Sequence, residues 1–528
     1  MLYWTIRSFL LFSCCALPVL AVDSLVDLGY SQIRGREVGE GTTQWLGVRY
    51  AAPPFGNICL PQNPQDFTMQ PNKRFTVGED CLFLNVFAPS AANTESNLPV
   101  LFFIQGGGFG SNSNANFNGS DLAREGDIVV VSINYRVGAF GFLQSQEVVD
   151  GGSLNNGMKD MVKALEWVKQ NIRSFGGNPG QVIIDGSSSG ASGVMILLAA
   201  PSMQEAGLFV GAISESTTEP TLRKLEQGQD QYNCLLQESG CSNTTDTLAC
   251  LRSKESSKIQ TGKCFYNPHL DNELIPITTF EAFEQGKYMK IPTIIGSCAD
   301  EGTKSGTKQV DTLNDANAFF RNQLPSLSNA SLSFLEKTYL SQPQPTFPDS
   351  GRLWRQTSIA HGDYRLNCVS SFYQDVQARD GVATYNYRYG VIDEEQESLG
   401  FGAFHTVELP AIWGPNNTDG APPKSYLPNT NATIKNADIV PIIRGYITSF
   451  VRSLDPNIDR LNGTAEWRVW GTAKERLRFI TNGTAMEKMP ETQISNCAVL
   501  EPMMRALEQP PPPGAVIELN LPLGGTSK

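Results

Sequence analysis

Apolar and polar positions along this chain follow two periods. Short β-branched or aromatic runs bounded by turn residues recur at 100–104, 128–133, 182–184, 291–295 and 382–387, each the length of a buried strand. Between the second and third runs, Met161, Leu165, Val168 and Ile172 recur at helical spacing within 158–172 and leave Lys163, Glu166 and Lys169 off the stripe. Trp167 on that segment reads as packing. Strands that are apolar throughout need cover on both faces, and strands alternating with helices imply a mostly parallel sheet. The pattern therefore predicts an α/β fold with helices on both faces. No internal repeat or composition shift marks a boundary, so residues 22–528 are expected to form one domain with long insertions.

The N-terminus departs from this pattern. Arg7 precedes an apolar run over 8–20 that Pro18 disrupts near its end and Leu20-Ala21-Val22 closes, which predicts a cleaved secretory signal over 1–21. The run is shorter than the roughly 20 residues of a spanning helix. Beyond the prolines at 510–513 no apolar tail of the GPI type follows, so a secreted protein without a membrane anchor is expected. Seven N-x-[ST] triplets, at Asn118, Asn243, Asn329, Asn416, Asn431, Asn462 and Asn482, suit that compartment and predict glycans on exposed loops.

Of 11 cysteines, Cys14 and Cys15 leave with the signal, and the odd remainder predicts one without a partner in the chain. Cys241 and Cys250 close a short polar loop and are expected to pair; Cys59 and Cys81 bracket a second. Spacing alone leaves Cys234, Cys264, Cys298, Cys368 and Cys497 unassigned. With 41 Lys+Arg against 53 Asp+Glu, net −12, nucleic acid and other polyanions are excluded as main partners. No metal-type C-x-x-C or H-E-x-x-H spacing occurs, and no metal or organic cofactor is expected.

The chemistry concentrates at 175–191. The run 182–184 leads into Gly186-Ser187-Ser188-Ser189-Gly190, and helix-compatible apolar residues follow. A serine on a sharp strand-to-helix turn exposes its hydroxyl, and the flanking glycines let strand and helix approach. Ser188 is the candidate nucleophile. An acyl-transfer serine also needs donors for the oxyanion, and Gly106-Gly107-Gly108 after the run 100–104 offers bare backbone N–H groups. Gly107, Gly108 and the Ser189 N–H are the candidates.

The base must come from three histidines, His269, His361 and His405. His405, last in the chain and in a Gly-rich stretch, suits the order Ser, Asp/Glu, His. His269 is expected at the surface or a pocket rim, and His361 as a satisfied structural residue. The acid is expected in the turn after 291–295, where Asp300 and Glu301 stand adjacent and spacing does not choose between them.

Two longer patterns carry a resemblance: F-G-G-x4-V-x-I-x-G-x-S-S-G over 175–190 and E-D-C-L-F-L-N-V-F-A-P over 79–89. Together with 134–138, 141–143, 164–172, Asp300-Glu301-Gly302 and 450–457, they resemble the type-B carboxylesterase/lipase family of α/β-hydrolases, over roughly residues 25–505. The resemblance implies Ser188 as nucleophile, Glu301 rather than Asp300 as acid, His405 as base, and the disulfides Cys59–Cys81 and Cys241–Cys250. Three departures stand out. Ser187 replaces a common acidic residue, Gln105 replaces a His or Tyr, and the stretch from Pro53 to Cys59 lacks about 20 residues that relatives carry.

The expected function is a secreted esterase for small-molecule carboxylic esters of short to medium acyl length, with an acyl pocket at Phe109, Phe404 and Trp413. A Trp-free loop before Cys81 argues against quaternary ammonium esters, and its polar Gln62, Asn63, Gln65 and Lys73 argue against a lipase lid. A non-catalytic adhesion protein on the same fold and an acyl-transfer enzyme are the alternatives. No oligomeric state is assigned.

Overall fold

In the computed structural model, the described residues are 24–39, 41–52, 80–111, 117–260, 262–418, 421–512 and 514–521. The expected signal 1–21, Cys59, the short stretch 53–59 and all of the loop 60–80 except Asp80 lie outside them.

The run 128–133 is seen as the strand Val129–Ile133, buried at every position. Such strands need helices on both sides, and a sheet of that kind organises the chain. In chain order its strands are β1 (Arg36–Glu37), β2 (Thr42–Arg49), β3 (Phe83–Pro89), β4 (Leu98–Ile104), β5 (Val129–Ile133), β6 (Gly177–Ser187), β7 (Gly211–Glu215), β8 (Thr293–Cys298), β9 (Thr384–Tyr389), β10 (Glu475–Ile480) and β11 (Gly483–Lys488). Their spatial order is β11-β10-β9-β8-β7-β6-β4-β5-β3-β2-β1. From β5 through β10 every pairing is parallel, and antiparallel strands close both edges. This is the α/β-hydrolase architecture.

Side chains along a strand alternate between faces, and two cores result. Val100, Phe102 and Ile104 of β4 join the core that contains Met161, Leu165 and Val168 of the helix Asn156–Asn171. Leu101 and Phe103 point the other way, into a core with Ile443, Ile447 and Phe450 of the helix Ile439–Ser453. Trp167 is buried and donates its indole N–H to the Tyr30 hydroxyl, a packing role.

The five expected strands are all present with shifted ends. The run 291–295 starts at Thr293 and extends to Cys298, and 382–387 becomes Thr384–Tyr389. β6 begins at Gly177, five positions before its apolar run, because Gly177 already pairs with Leu98 ahead of an irregularity in the register.

Disulfides join Cys241–Cys250, Cys234–Cys264 and Cys368–Cys497. Cys81 is also disulfide-bonded. Cys298 is a free, buried thiol. Among the described residues no helix is long and apolar enough to cross a membrane.

Candidate active site

Ser188 stands where β6 meets the helix Ser189–Ala199, with φ 58° and ψ −123°, a conformation that costs a non-glycine residue about 1–3 kcal/mol. Its neighbours explain how the chain tolerates so sharp a turn. A Cβ on Gly190 would overlap the Ile104 carbonyl oxygen, and one on Gly186 would overlap that of Gly190. Only glycines let β4, β6 and the helix meet this closely.

The turn aims Ser188 Oγ at His405 Nε2, 2.8 Å away. His405 Nδ1 lies 2.5 Å from Glu301 Oε2, and Glu301 Oε1 accepts the Cys298 N–H at 2.7 Å. Glu301 is fully enclosed, whereas the His405 side chain is one-quarter exposed. Burial alone would lower the His405 pKa; the charge of Glu301, its hydrogen bond and the nearby Glu408 outweigh burial, and the net shift is upward.

Asp300, the neighbouring carboxylate, faces away. It pairs with Arg355 and accepts the Ala403 N–H at 2.9 Å. Arg355 also donates to the Gly400 carbonyl, so Asp300 anchors the segment that carries His405.

On the other side of Ser188, the segment after β4 passes through positive φ at Gly107 (115°), Gly108 (62°) and Phe109 (56°). A Cβ on Gly107 would overlap the Ser111 carbonyl oxygen. The Ser189 hydroxyl accepts the Phe109 N–H at 3.2 Å, tying this segment to the helix N-terminus. Gln105 is buried and donates its amide to the Ile133 carbonyl at 3.0 Å. The Gly106–Phe109 backbone, the start of the helix Ser189–Ala199 and Ser188 thus form one corner, at the C-terminal ends of β4 and β6.

Among the expected pocket residues, Phe404 is half-buried, with the Lys304 ammonium 4.4 Å from its ring centre. Phe109 is buried against Phe142. Trp413 is fully buried between Phe103 and Phe117, in the second core.

His269 is not at the surface as expected. It is 1% exposed, its backbone is held on both sides by Asn155, and burial pushes its imidazole down to about 4. His361 is buried, with ring contacts to Phe319 and Tyr364, but its Nδ1 has no partner among the described residues.

Residues that spacing did not single out lie close to Glu301 and His405. Glu408 is buried and accepts hydrogen bonds from Ser216 Oγ (2.9 Å), Tyr387 Oη (3.0 Å) and Cys298 Sγ (2.8 Å). Ser216 Oγ in turn accepts the Thr406 N–H at 3.4 Å, so this cluster holds the residue after His405. Glu215, opposite Ser187 in the sheet, is buried with its carboxyl pushed well above the usual range by burial and by Asp185 and Glu408. A buried carboxyl thus stands one strand away from Ser187, where relatives carry an acid. All seven sequon asparagines are exposed. Among the described residues no group of three or more His, Cys, Asp or Glu is placed to hold a metal ion.

A family model described as the Carboxylesterase family matches residues 58–498. The chain is 32% identical over 314 residues to the para-nitrobenzyl esterase of Bacillus subtilis, a match covering 53% of this chain and 63% of that protein. It is 37% identical over 257 residues to lipase 2 of Geotrichum candidum, covering 43% and 46%. The aligned parts therefore span under two thirds of these curated relatives. Among solved structures, EstA of Aspergillus niger superposes with a TM-score of 0.84 at 34% identity, covering 92% of this chain and 99% of that one. With its sheet order, its strand-to-helix turn at Ser188 and a family match over most of its length, the chain belongs to the carboxylesterase family.

Proposed function

We propose that the protein is a secreted serine carboxylic-ester hydrolase working through an acyl-enzyme on Ser188. The observation that carries this is the hydrogen-bonded series Ser188 Oγ, His405, Glu301. His405 Nε2 takes the Oγ proton as Oγ bonds to the ester carbonyl carbon. Negative charge develops on the carbonyl oxygen, where the N–H groups of Gly107, Gly108 and Ser189 receive it. Collapse breaks the bond to the alcohol, which leaves with the proton held by His405. Water then repeats the sequence, releasing the carboxylic acid and restoring the Ser188 hydroxyl. Glu301 fixes the His405 tautomer and stabilises the imidazolium.

The substrate class is small esters of short to medium acyl length, from the polar composition of the loop 60–80. Phe404, half-buried, is the candidate pocket residue with ring surface still open, whereas Phe109 and Trp413 are buried in the two cores. Secretion follows from the signal-like 1–21, and the exposure of the seven sequon asparagines supports their glycosylation. Residues 22–528 form one domain in this reading.

The test is release of p-nitrophenol from acetyl, butyryl, octanoyl and palmitoyl esters by secreted wild type and Ser188→Ala. Hydrolysis highest at butyryl or octanoyl, with kcat reduced at least about 10⁴-fold in the variant, is expected. Wild-type rates retained in Ser188→Ala refute the serine mechanism. A palmitoyl optimum refutes the substrate class, and folded, inactive wild type points to a binding role on this fold.

A further inference from the structure

Away from Ser188, a cavity of about 530 Å³ opens beside the helix Gly138–Phe142 and the start of the helix Asn156–Asn171, facing the helices Leu225–Ser239, Thr247–Arg252 and Ser256–Ile259. One side of its wall is apolar, with Phe140, Leu143, Val148, Leu235, Leu248 and Leu251, and Ser153, Asn156 and Ser256 add polar groups. The charged side chains lining it are Arg136, Arg252 and Lys254, and no carboxylate is among the described lining residues. In a chain of net charge −12 this is a local reversal of sign.

The three cations are not equally available. Arg136 is gripped by Asp160, with Nε donating to Oδ2 at 2.7 Å and Nη2 to Oδ1 at 2.6 Å. Arg252 spends one guanidinium nitrogen on the Gly151 carbonyl. Lys254 is half-buried, and its ammonium has no hydrogen-bond or ion-pair partner among the described residues. A half-buried cation beside an aliphatic wall matches an occupant with an apolar body and an anionic end. The volume lies in the lower half of the range for small-ligand pockets, about 300–1,000 Å³, which suits one chain rather than a two-chain lipid.

We propose that this cavity binds a single-chain alkyl carboxylate, its chain along Leu235, Leu248 and Leu251 and its carboxylate at Lys254 and Arg252. The site uses none of Ser188, His405 or Glu301 and stands whether or not they hydrolyse esters.

The probe is laurate, titrated calorimetrically into the full-length glycosylated protein, its Lys254→Glu and Leu248→Trp variants, and Lys258→Glu as an exposed-charge control. The expected result is a saturable site of one laurate per chain, weakened at least about tenfold by Lys254→Glu. Leu248→Trp, which fills the cavity, weakens it similarly, and Lys258→Glu leaves it unchanged. Dodecyltrimethylammonium, with the opposite head charge, fails to compete. Unchanged melting temperature of Lys254→Glu shows that the variant folds. Laurate binding indifferent to Lys254→Glu, or no saturable binding, overturns the proposal. Dilauroyl phosphatidylglycerol vesicles that bind in a Lys254-dependent way while free laurate does not also overturn it, in favour of a lipid surface.

Discussion

Glu301→Gln separates the two adjacent carboxylates with one change of atom. Glu301 accepts two N–H groups, from Cys298 at 2.7 Å and from His405 at 2.5 Å, and its side chain is fully enclosed. A glutamine has one carbonyl oxygen. If that oxygen keeps the Cys298 N–H, its NH₂ faces His405 Nδ1, which must then become an acceptor. The imidazole proton moves to Nε2, where it blocks transfer from Ser188. The reverse orientation sets the NH₂ against the Cys298 N–H, donor against donor. Loss of charge adds to this, because the imidazolium formed in the reaction loses its counter-ion. A wrong-tautomer substitution of this kind costs about 10⁴ in kcat, which is about 5.5 kcal/mol of transition-state stabilisation. Asp300→Asn provides the contrast. Its partners are Arg355 and the Ala403 N–H, so it should lower stability by about 1–3 kcal/mol and leave kcat within about tenfold. The assay is p-nitrophenyl butyrate hydrolysis across pH, with thermal melting of both variants. Glu301→Gln within tenfold of wild type, or Asp300→Asn equally inactive, would refute the assignment.

The upward shift of His405 sets the acid limb of kcat/KM. The base must be neutral, so activity falls as pH drops through a pKa above the ordinary histidine value of about 6.5, and a limb below that value contradicts the geometry. Gly190→Ala drives a Cβ into the Ile104 carbonyl and should cost about 3 kcal/mol of stability along with most activity, checked by melting and turnover. Cys298 is fully buried, with its thiol raised by burial and by Glu408 and Glu301. It should resist an aromatic disulfide reagent in the native protein and react once the chain is denatured without reductant; rapid native labelling would count against its placement.

The central sheet was legible because β4 and β5 are nearly continuous apolar runs, β8 carries Ile294-Ile295 near its start and β9 alternates tyrosines with Asn386 and Arg388. β7 was not: Ala212-Ile213-Ser214-Glu215 reads as polar, yet all of it is buried because neighbours on both sides cover it. A local window does not contain those neighbours. Ser188 announced itself through glycines that close packing demands, and His405 through elimination among three histidines. The choice between Asp300 and Glu301 required knowing which way each side chain turns after β8, and only family resemblance anticipated it. His269 was misjudged because its Asn155 partner is 114 residues away. Glu408 and Ser216 were missed for a similar reason, lying 192 residues apart in sequence and 2.9 Å apart in space.

Ser188 and His405, touching in the folded protein, are separated by 217 residues of chain. At a synthesis rate of about 5–20 residues per second, roughly 10–40 s pass between the emergence of the first and the second. Throughout that interval the turn at Ser188 can form from β4, β6 and its own helix, but no base stands near it. The Cys368–Cys497 bond comes later still, since it joins residues 129 positions apart and needs the helix Glu491–Glu508. A growing chain therefore holds the Ser188 turn without His405 until most of it has been made. Cys497 follows His405 in the chain, so the covalent tie to the C-terminal helix closes only after Ser188 and His405 have both emerged, and it fastens Glu491–Glu508 to the helix Cys368–Arg379.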